Sequence, residues 1–310
     1  MLVTVITATY MNFSNIERVI KSVLSQSYEQ IEYIISDDGS TNFDEKLIKN
    51  YIDIYKRDNL KNIIIIHHEK NLGTVKNINH AYQQAQGEII VQVASDDELY
   101  DSNVIERIAE RYNRKPFKIL LTSRLICDEN DNPICVLPHL FERNRIVRLT
   151  RKEQYDRFIG RRLSDMATGS AMTLNRDFIL KLGGYNEKYK LYEDAPFFAQ
   201  FLENNQIDVE LSIISIRYHL GGISTNKIVN PILQNDMDLY NTTDRIKNLK
   251  ELSIRSRRCA SYECLAIKYR NQKFKKTINK IRFIDVILYM RLLNIYRVVR
   301  SRGEIDNYYE

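Results

Sequence analysis

Along the first part of this chain, short unbroken apolar runs alternate with stretches in which apolar residues recur every three or four positions. The runs predict buried strands over residues 2–7, 32–36, 62–67, 88–93 and 118–126. The periodic stretches predict helices. The first is marked by Ile16, Val19, Ile20, Val23 and Leu24, the second by Phe43, Leu47, Ile48, Tyr51, Ile52 and Tyr55. Val75, Ile78, Ala81, Tyr82 and Ala85 mark a third, and Val104, Ile105, Ile108 and Tyr112 a fourth. Ser14 and Glu17 have capping-box spacing, and Gly87 stands where the third helix would be closed. Strands alternating with helices imply an α/β fold with a parallel, right-handed sheet.

Beyond Asp128 the alternation thins. The pattern predicts a strand at 171–174, a helix at 176–182 stopped by Gly183-Gly184, a helix at 196–203 with Pro196 near its first turn, and a strand at 207–218. From about Pro231 the chain reads as helical and increasingly basic. This divides it into an α/β part, 1–225, and a helical part, 226–310. No linker composition separates them, so the C-terminal helices are expected to pack on the main body.

Charge sharpens this division. The 310 residues carry a net charge of +6, but residues 255–302 contain 14 Lys/Arg against 2 Asp/Glu. The rest is net acidic, so the basicity belongs to the C-terminal segment and not to the fold as a whole. A nucleic-acid binder would spread its basic residues over the folded face, so no nucleic-acid partner is expected. The stretch 283–297 is apolar-dense and flanked by Lys and Arg, but Asp285, Arg291 and Asn294 interrupt it. It is too interrupted to span a bilayer and fits an interfacial helix on an anionic membrane; packing on the domain or on a second subunit is the alternative. Met1 leads directly into the first strand, so no leader is expected. The four cysteines form no CxxC and no zinc pattern, which fits a reducing cytosol.

Two double-aspartate corners, Asp37-Asp38-Gly39-Ser40 and Ser95-Asp96-Asp97, each follow a predicted strand. Ligands of open α/β sheets bind beyond the carboxyl ends of the strands. Neighbouring carboxylates there repel unless a cation or hydrogen-bond donors sit between them. Two such corners suggest a nucleotide at one and a metal at the other.

The chain resembles the family-2 glycosyltransferases of the GT-A fold, of the kind that build bacterial surface polysaccharides. The resemblance rests on Thr4 to Tyr10, Ile35 to Asn42, Asn71-Leu72-Gly73, Ala85 to Ile90, Ser95-Asp96-Asp97, Leu182 to Glu187 and Tyr192-Glu193-Asp194, in the right order. It covers roughly residues 3–225. Many members have Asp-x-Asp-Asp at the second corner; here Ala94 takes the first position.

The resemblance implies an inverting, metal-dependent transfer from a nucleotide-sugar, with a UDP-hexose or UDP-N-acetylhexosamine as donor. The acceptor would be a saccharide or lipid-linked oligosaccharide at the cytoplasmic face of the membrane. Asp38 would read the base, with Tyr10 stacked on it and Thr9 nearby. Asp97 would hold Mn²⁺ or Mg²⁺, Asp96 would touch the donor ribose or sugar, and His219 would approach the metal or diphosphate. Asp194 would be the general base with Glu193 in support, and Gly169 would lie on the acceptor side. Each residue also has a plainer reading: a strand-end turn for Asp38, a helix N-cap for Asp97 and Asp194, a packed strand-end histidine for His219, an ordinary turn for Gly169. His67 and His68 read as strand-end residues with no chemical partner. Arg217, Arg161 and Arg162 are candidate phosphate contacts. Tyr185, Tyr189, Tyr192, Phe197 and Phe198 could form a sugar-stacking wall, with a core role favoured for the two phenylalanines.

Two other classes compete. A sugar-nucleotide pyrophosphorylase needs a Gly-rich phosphate loop, and residues 7–12 contain no glycine. A degenerate transferase, binding a nucleotide-sugar or polyanion without turnover, would be expected to have lost Asp97 or Asp194, and both are present.

Overall fold

The first strands and helices follow the periodicity closely: β1 (Val3–Thr9), α1 (Ile16–Leu24), β2 (Ile31–Asp37), α2 (Glu45–Tyr55), β3 (Leu60–His67), α3 (Thr74–Gln84) and β4 (Ile89–Gln92). The computed structural model describes residues 1–128, 130–161, 169–220 and 230–300. These four strands run parallel in the order β3-β2-β1-β4. After β5 (Glu98–Leu99) and α4 (Val104–Arg114) come β6 (Ile119–Cys127), β7 (Pro133–Leu137), α5 (Leu140–Ile146), α6 (Arg151–Ile159) and β8 (Met172–Asn175). Then follow α7 (Arg176–Leu182), α8 (Asp194–Asn204), β9 (Asp208–His219), α9 (Pro231–Thr242), α10 (Ile254–Lys268), α11 (Lys273–Arg282) and α12 (Ile284–Arg300).

The sheet departs from a simple parallel series beyond β4. Strand β8 inserts between β4 and β6 and is antiparallel to both, while β6 and β9 pair in parallel. The two-residue β5 is antiparallel to β9, and β7 is antiparallel to β6. The two residues of β5 are too few to form a readable run, and the apolar 134–137 run of β7, set between Pro133 and Pro138, is not among the predicted strands.

Side chains alternate across the sheet as the two-residue period requires. Val3, Val5, Tyr33 and Ile35 face α1, α2 and α4 in one core; Ile6 and Ile34 face the other with Tyr82, Leu174 and Phe198. The C-terminal helices pack onto this second face: Ala260 of α10 is fully buried within it, and a Cβ on Gly160 would stand 2.5 Å from the Ser256 hydroxyl.

Two local expectations fail. Ser14 does not cap α1; its hydroxyl donates to Asn12 at 3.2 Å, and Glu17 instead accepts from the Tyr55 hydroxyl at 2.7 Å, tying α1 to α2. A capping box does form at Thr150 and Glu153, at the start of α6. Gly87 does not close α3, which ends at Gln84 with Ala85 in extended conformation. Its glycine is demanded by close packing, since a Cβ there would lie 2.5 Å from the Thr4 amide nitrogen.

Candidate active site

The carboxyl ends of β1, β2 and β4 bring the first group of candidate residues together. The Asp38 amide donates to the Thr9 carbonyl at 2.9 Å, and Thr9, buried, donates its hydroxyl to the Asn12 carbonyl. Tyr10 is 44% exposed, so its ring is free to meet a ligand. Asp38 is buried, and its two oxygens accept from the Leu72 amide at 2.7 Å and the Gly73 amide at 2.9 Å. Burial raises its pKa, and these amides oppose the rise by favouring the charged form. Each carboxylate oxygen keeps a second lone pair. Gly39 lets the 70–73 segment close on this corner: its φ is +75°, and a Cβ would stand 2.4 Å from the Lys70 carbonyl carbon.

The other member of this corner, Asp37, is fully engaged inside the protein. Its Oδ1 accepts from the Ser40 hydroxyl, and its Oδ2 accepts from the Ser40 amide and lies 2.7 Å from His67 Nδ1. His67 therefore does have a partner, contrary to the sequence reading, and it also stacks on Phe43 at 4.3 Å.

The second corner carries a strained electrostatic arrangement. Asp97 is 1% exposed; one oxygen accepts from the His219 amide at 3.1 Å, and the other is buried with no hydrogen-bond partner among the described residues. Burial and the adjacent Asp96 push its pKa well above the usual carboxylate range. An unsatisfied buried acceptor costs about 1–3 kcal/mol, more when charged. Such an oxygen fits a divalent cation, which would supply the missing partner and the missing charge. Half-buried Asp96 is also raised by burial. Its carbonyl takes the Nδ1 of His219, whose Nε2 lies 3.0 Å from Asp131 and 3.1 Å from Arg18.

Asp131, Arg18 and Arg124 escaped the sequence reading. Asp131 comes from the β6–β7 connection and, with Cys127 and His219, forms a set of ligating atoms within 4.8 Å of one another. Arg217 and Arg18 stand 3.6 and 3.9 Å from its carboxylate, so guanidinium groups already balance its charge. Arg124 donates to the Ser170 hydroxyl at 3.1 Å and lies over the Tyr218 ring. Its positive charge favours the ionised forms of both Asp97 and Asp194. The available signal was a lone cation inside the apolar β6 run.

The third group lies at the start of α8. Asp194 opens the helix, where the N-terminal dipole favours negative charge, and accepts from the Ala195 amide at 2.6 Å and from the Gly169 amide. Gly169 sits directly against the pair, with Glu193 Oε1 3.5 Å from where its Cβ would be. Burial raises both carboxyls, and the Asp194 charge pushes Glu193 up further, to about 8. Of the two, Glu193 is the one that holds its proton up to neutral pH.

The proposed aromatic wall is not one. Tyr185, Tyr189, Phe197 and Phe198 are buried in the core, and Tyr192 packs edge-on against Tyr240. Arg161 pairs with Glu263 at 2.9 Å. Arg162 and the glycine-rich segment after His219 lie outside the described residues.

Residues 4–183 match the family model described as Glycosyl transferase family 2. The chain belongs to this family. Among curated proteins, putative glycosyltransferase EpsE of Bacillus subtilis is 28% identical over 127 residues, 41% of this chain and 44% of EpsE. The putative teichuronic acid biosynthesis glycosyltransferase TuaG of the same species is 36% identical over 96 residues, 31% of this chain and 36% of TuaG. The aligned stretches thus span less than half of either relative. Among solved structures, S. aureus TarS 1-349 in complex with UDP-GlcNAc superposes with a TM-score of 0.60 at 19% identity, covering 99% of this chain and 91% of that one. This likeness establishes the GT-A fold. The family 2 match ends at Gly183, so Asp194 and His219 lie beyond it.

Proposed function

We propose that this family 2 member is an inverting, cation-assisted glycosyltransferase. It moves a hexose or N-acetylhexosamine from a UDP-sugar to a hydroxyl of a saccharide or lipid-linked saccharide in surface polysaccharide assembly. The observation that carries the reading is the buried Asp97 oxygen that has no partner among the described residues, on a carboxylate that shares the Arg124 charge with Asp194. The bound UDP-GlcNAc of TarS and the teichuronic acid biosynthesis ascribed to TuaG support the donor and acceptor classes.

In this reading Asp38 accepts the imide N–H of uracil and Tyr10 stacks on the base, with Thr9 nearby. Asp97, with His219 beside it, would hold Mn²⁺ or Mg²⁺, and Asp96 would orient the donor ribose or sugar. The cation's contribution is to neutralise charge on the diphosphate as it leaves. Asp194 accepts the proton of the acceptor hydroxyl while that oxygen bonds to the anomeric carbon and the bond to the diphosphate breaks. Protonated Glu193 supports the base without adding a second negative charge. Gly169 leaves room for the acceptor against the pair.

The test offers purified protein UDP-, GDP-, dTDP- and CMP-sugars with Mn²⁺, Mg²⁺ or EDTA and reads nucleotide release beside Asp97→Ala. Release from a UDP-sugar that requires cation and is lost in the variant is the expected result. Neither release nor calorimetric binding of any nucleotide would overturn the reading and leave a non-catalytic binding protein.

A further inference from the structure

Helices α11 and α12 turn apolar side chains away from the protein. On α11, Phe274, Ile278 and Ile281 recur at helical spacing and are all exposed, Phe274 at 79%. On α12, Ile284, Leu288, Leu292 and Ile295 do the same, with Leu292 64% exposed. The opposite side of α12 is anchored. Val286 and Met290 pack with Cys259 and Phe283, Arg258 holds Asp285 at 2.9 Å, Arg297 reaches Glu142 at 3.3 Å, and Tyr296 meets Phe141 edge-on. The helix is therefore docked, and its outward stripe is a presented surface rather than a loose end.

Exposed cations share these two helices with the stripe. Lys273, Lys276, Lys280 and Arg291 are exposed, and none has a carboxylate partner among the described residues. Residues 273–300 carry eight Lys/Arg and one acidic residue. No helix among the described residues is long and apolar enough to cross a membrane. An apolar stripe with unpaired cations on the same helices is the signature of a helix lying in a membrane interface, its lysine stems along the acyl boundary and its charges among the headgroups. A symmetric second copy would bring this strongly basic face against itself, like charge on like.

We propose that the α11–α12 face docks on an anionic lipid surface, with its apolar stripe inserted and its lysines and arginines on the headgroups. The proposal does not rest on the transferase reading, because vesicle binding is measured without donor or acceptor.

The experiment is co-sedimentation of the full chain with phosphatidylcholine vesicles, with and without phosphatidylglycerol, over a salt series. The protein is expected to bind the anionic vesicles and to release with salt. Phe274→Ser/Ile278→Ser/Leu288→Ser/Leu292→Ser should weaken binding about tenfold or more. Lys273→Ala/Lys276→Ala/Lys280→Ala should weaken binding and flatten the salt dependence. All these positions are exposed, so unchanged circular dichroism and Tm in both variants will show that folding is intact. Equal binding to neutral and anionic vesicles, or none, would overturn the proposal. So would retained binding in the serine variant, which would mark a generic polyanion patch. A concentration-dependent dimer abolished by the serine variant would overturn it in favour of a second copy.

Discussion

Asp236 on α9 and Lys190, four residues before Asp194, are joined by a 2.7 Å hydrogen bond from the Lys190 amide, and the Leu191 amide donates to the same oxygen. The Lys190 carbonyl in turn accepts from the Val75 amide at 3.1 Å, and a Cβ on Gly73 would stand 2.3 Å from Lys190 Cγ. A carboxylate from the C-terminal segment thus pins the piece of chain lying between the Asp38 corner and Asp194. Hydrogen bonds to a charged acceptor contribute about 1.5–3 kcal/mol each. Asp236→Ala is expected to lower Tm by several degrees and kcat about tenfold, with a smaller change in donor KM. Asp236→Asn, whose carbonyl can accept both amides, should stay close to the parent. Steady-state kinetics and thermal unfolding of the two variants check this.

Asp97→Asn should separate stability from function. Replacing a buried, incompletely paired charge by a neutral amide removes a destabilising element, so the variant should melt higher than the parent in EDTA. It should also lack the Tm gain expected of the parent with Mn²⁺ and lose nucleotide release. A scanning fluorimetry series with and without cation reads both effects.

The Glu193–Asp194 pair sets a pH dependence. Glu193 is pushed up to about 8 by burial and by the Asp194 charge, against an ordinary value of 4.5. Between those values the folded protein holds a proton that the unfolded chain has lost, so stability falls as pH rises through the window. Glu193→Gln should flatten that fall, visible as a smaller Tm difference between about pH 5.5 and about 7.5. In the parent, the acid limb of kcat/KM should sit above the ordinary Asp range, because burial raises Asp194.

Asp194→Asn leaves the helix start and its volume in place but removes the proposed proton acceptor. Transfer should fall by about 10²–10⁴ while calorimetric donor affinity changes little. A comparable loss of donor binding would argue that Asp194 holds the loop and not the proton.

Asp38→Asn should raise donor KM more than it lowers kcat. The amide can accept from one of the Leu72 and Gly73 amides, but its NH₂ faces the other as donor against donor. The 71–73 loop should loosen as well, and faster hydrogen exchange at Leu72 and Gly73 would report it.

The parallel half of the fold was legible because β1, β2 and β4 are buried on both faces, the edge strand β3 still carries an unbroken run of isoleucines, and each helix has one clear stripe, as Val3–Ile6 and Ile16–Leu24 illustrate. The corners stood out because paired acids follow apolar runs, but the sequence did not say that Asp37 would be taken up internally by Ser40 and His67 while Asp38 faces the 72–73 amides. What stayed hidden depends on contacts distant in sequence. Nothing local in Met172–Asn175 says that it will run antiparallel between β4 and β6. The partners of His67, the pairing of Asp131 with His219, and the reach of Arg124 toward two carboxylates are set by tertiary approach. The stacking wall failed for a related reason: aromatic residues at helical spacing serve a core as well as a sugar, and burial alone separates the two.

The position of β8 has a consequence for how the molecule comes into being. Four strands are complete by Gln92, yet the edge of β4 stays open until Met172–Asn175 has been made, because β6 reaches β4 only through β8. During synthesis the early half therefore carries an unpaired strand edge, the kind that invites pairing with a neighbouring chain. The late strand acts as a closing stave. A chain stopped short of residue 172 should be aggregation-prone, whatever the stability of its first four strands.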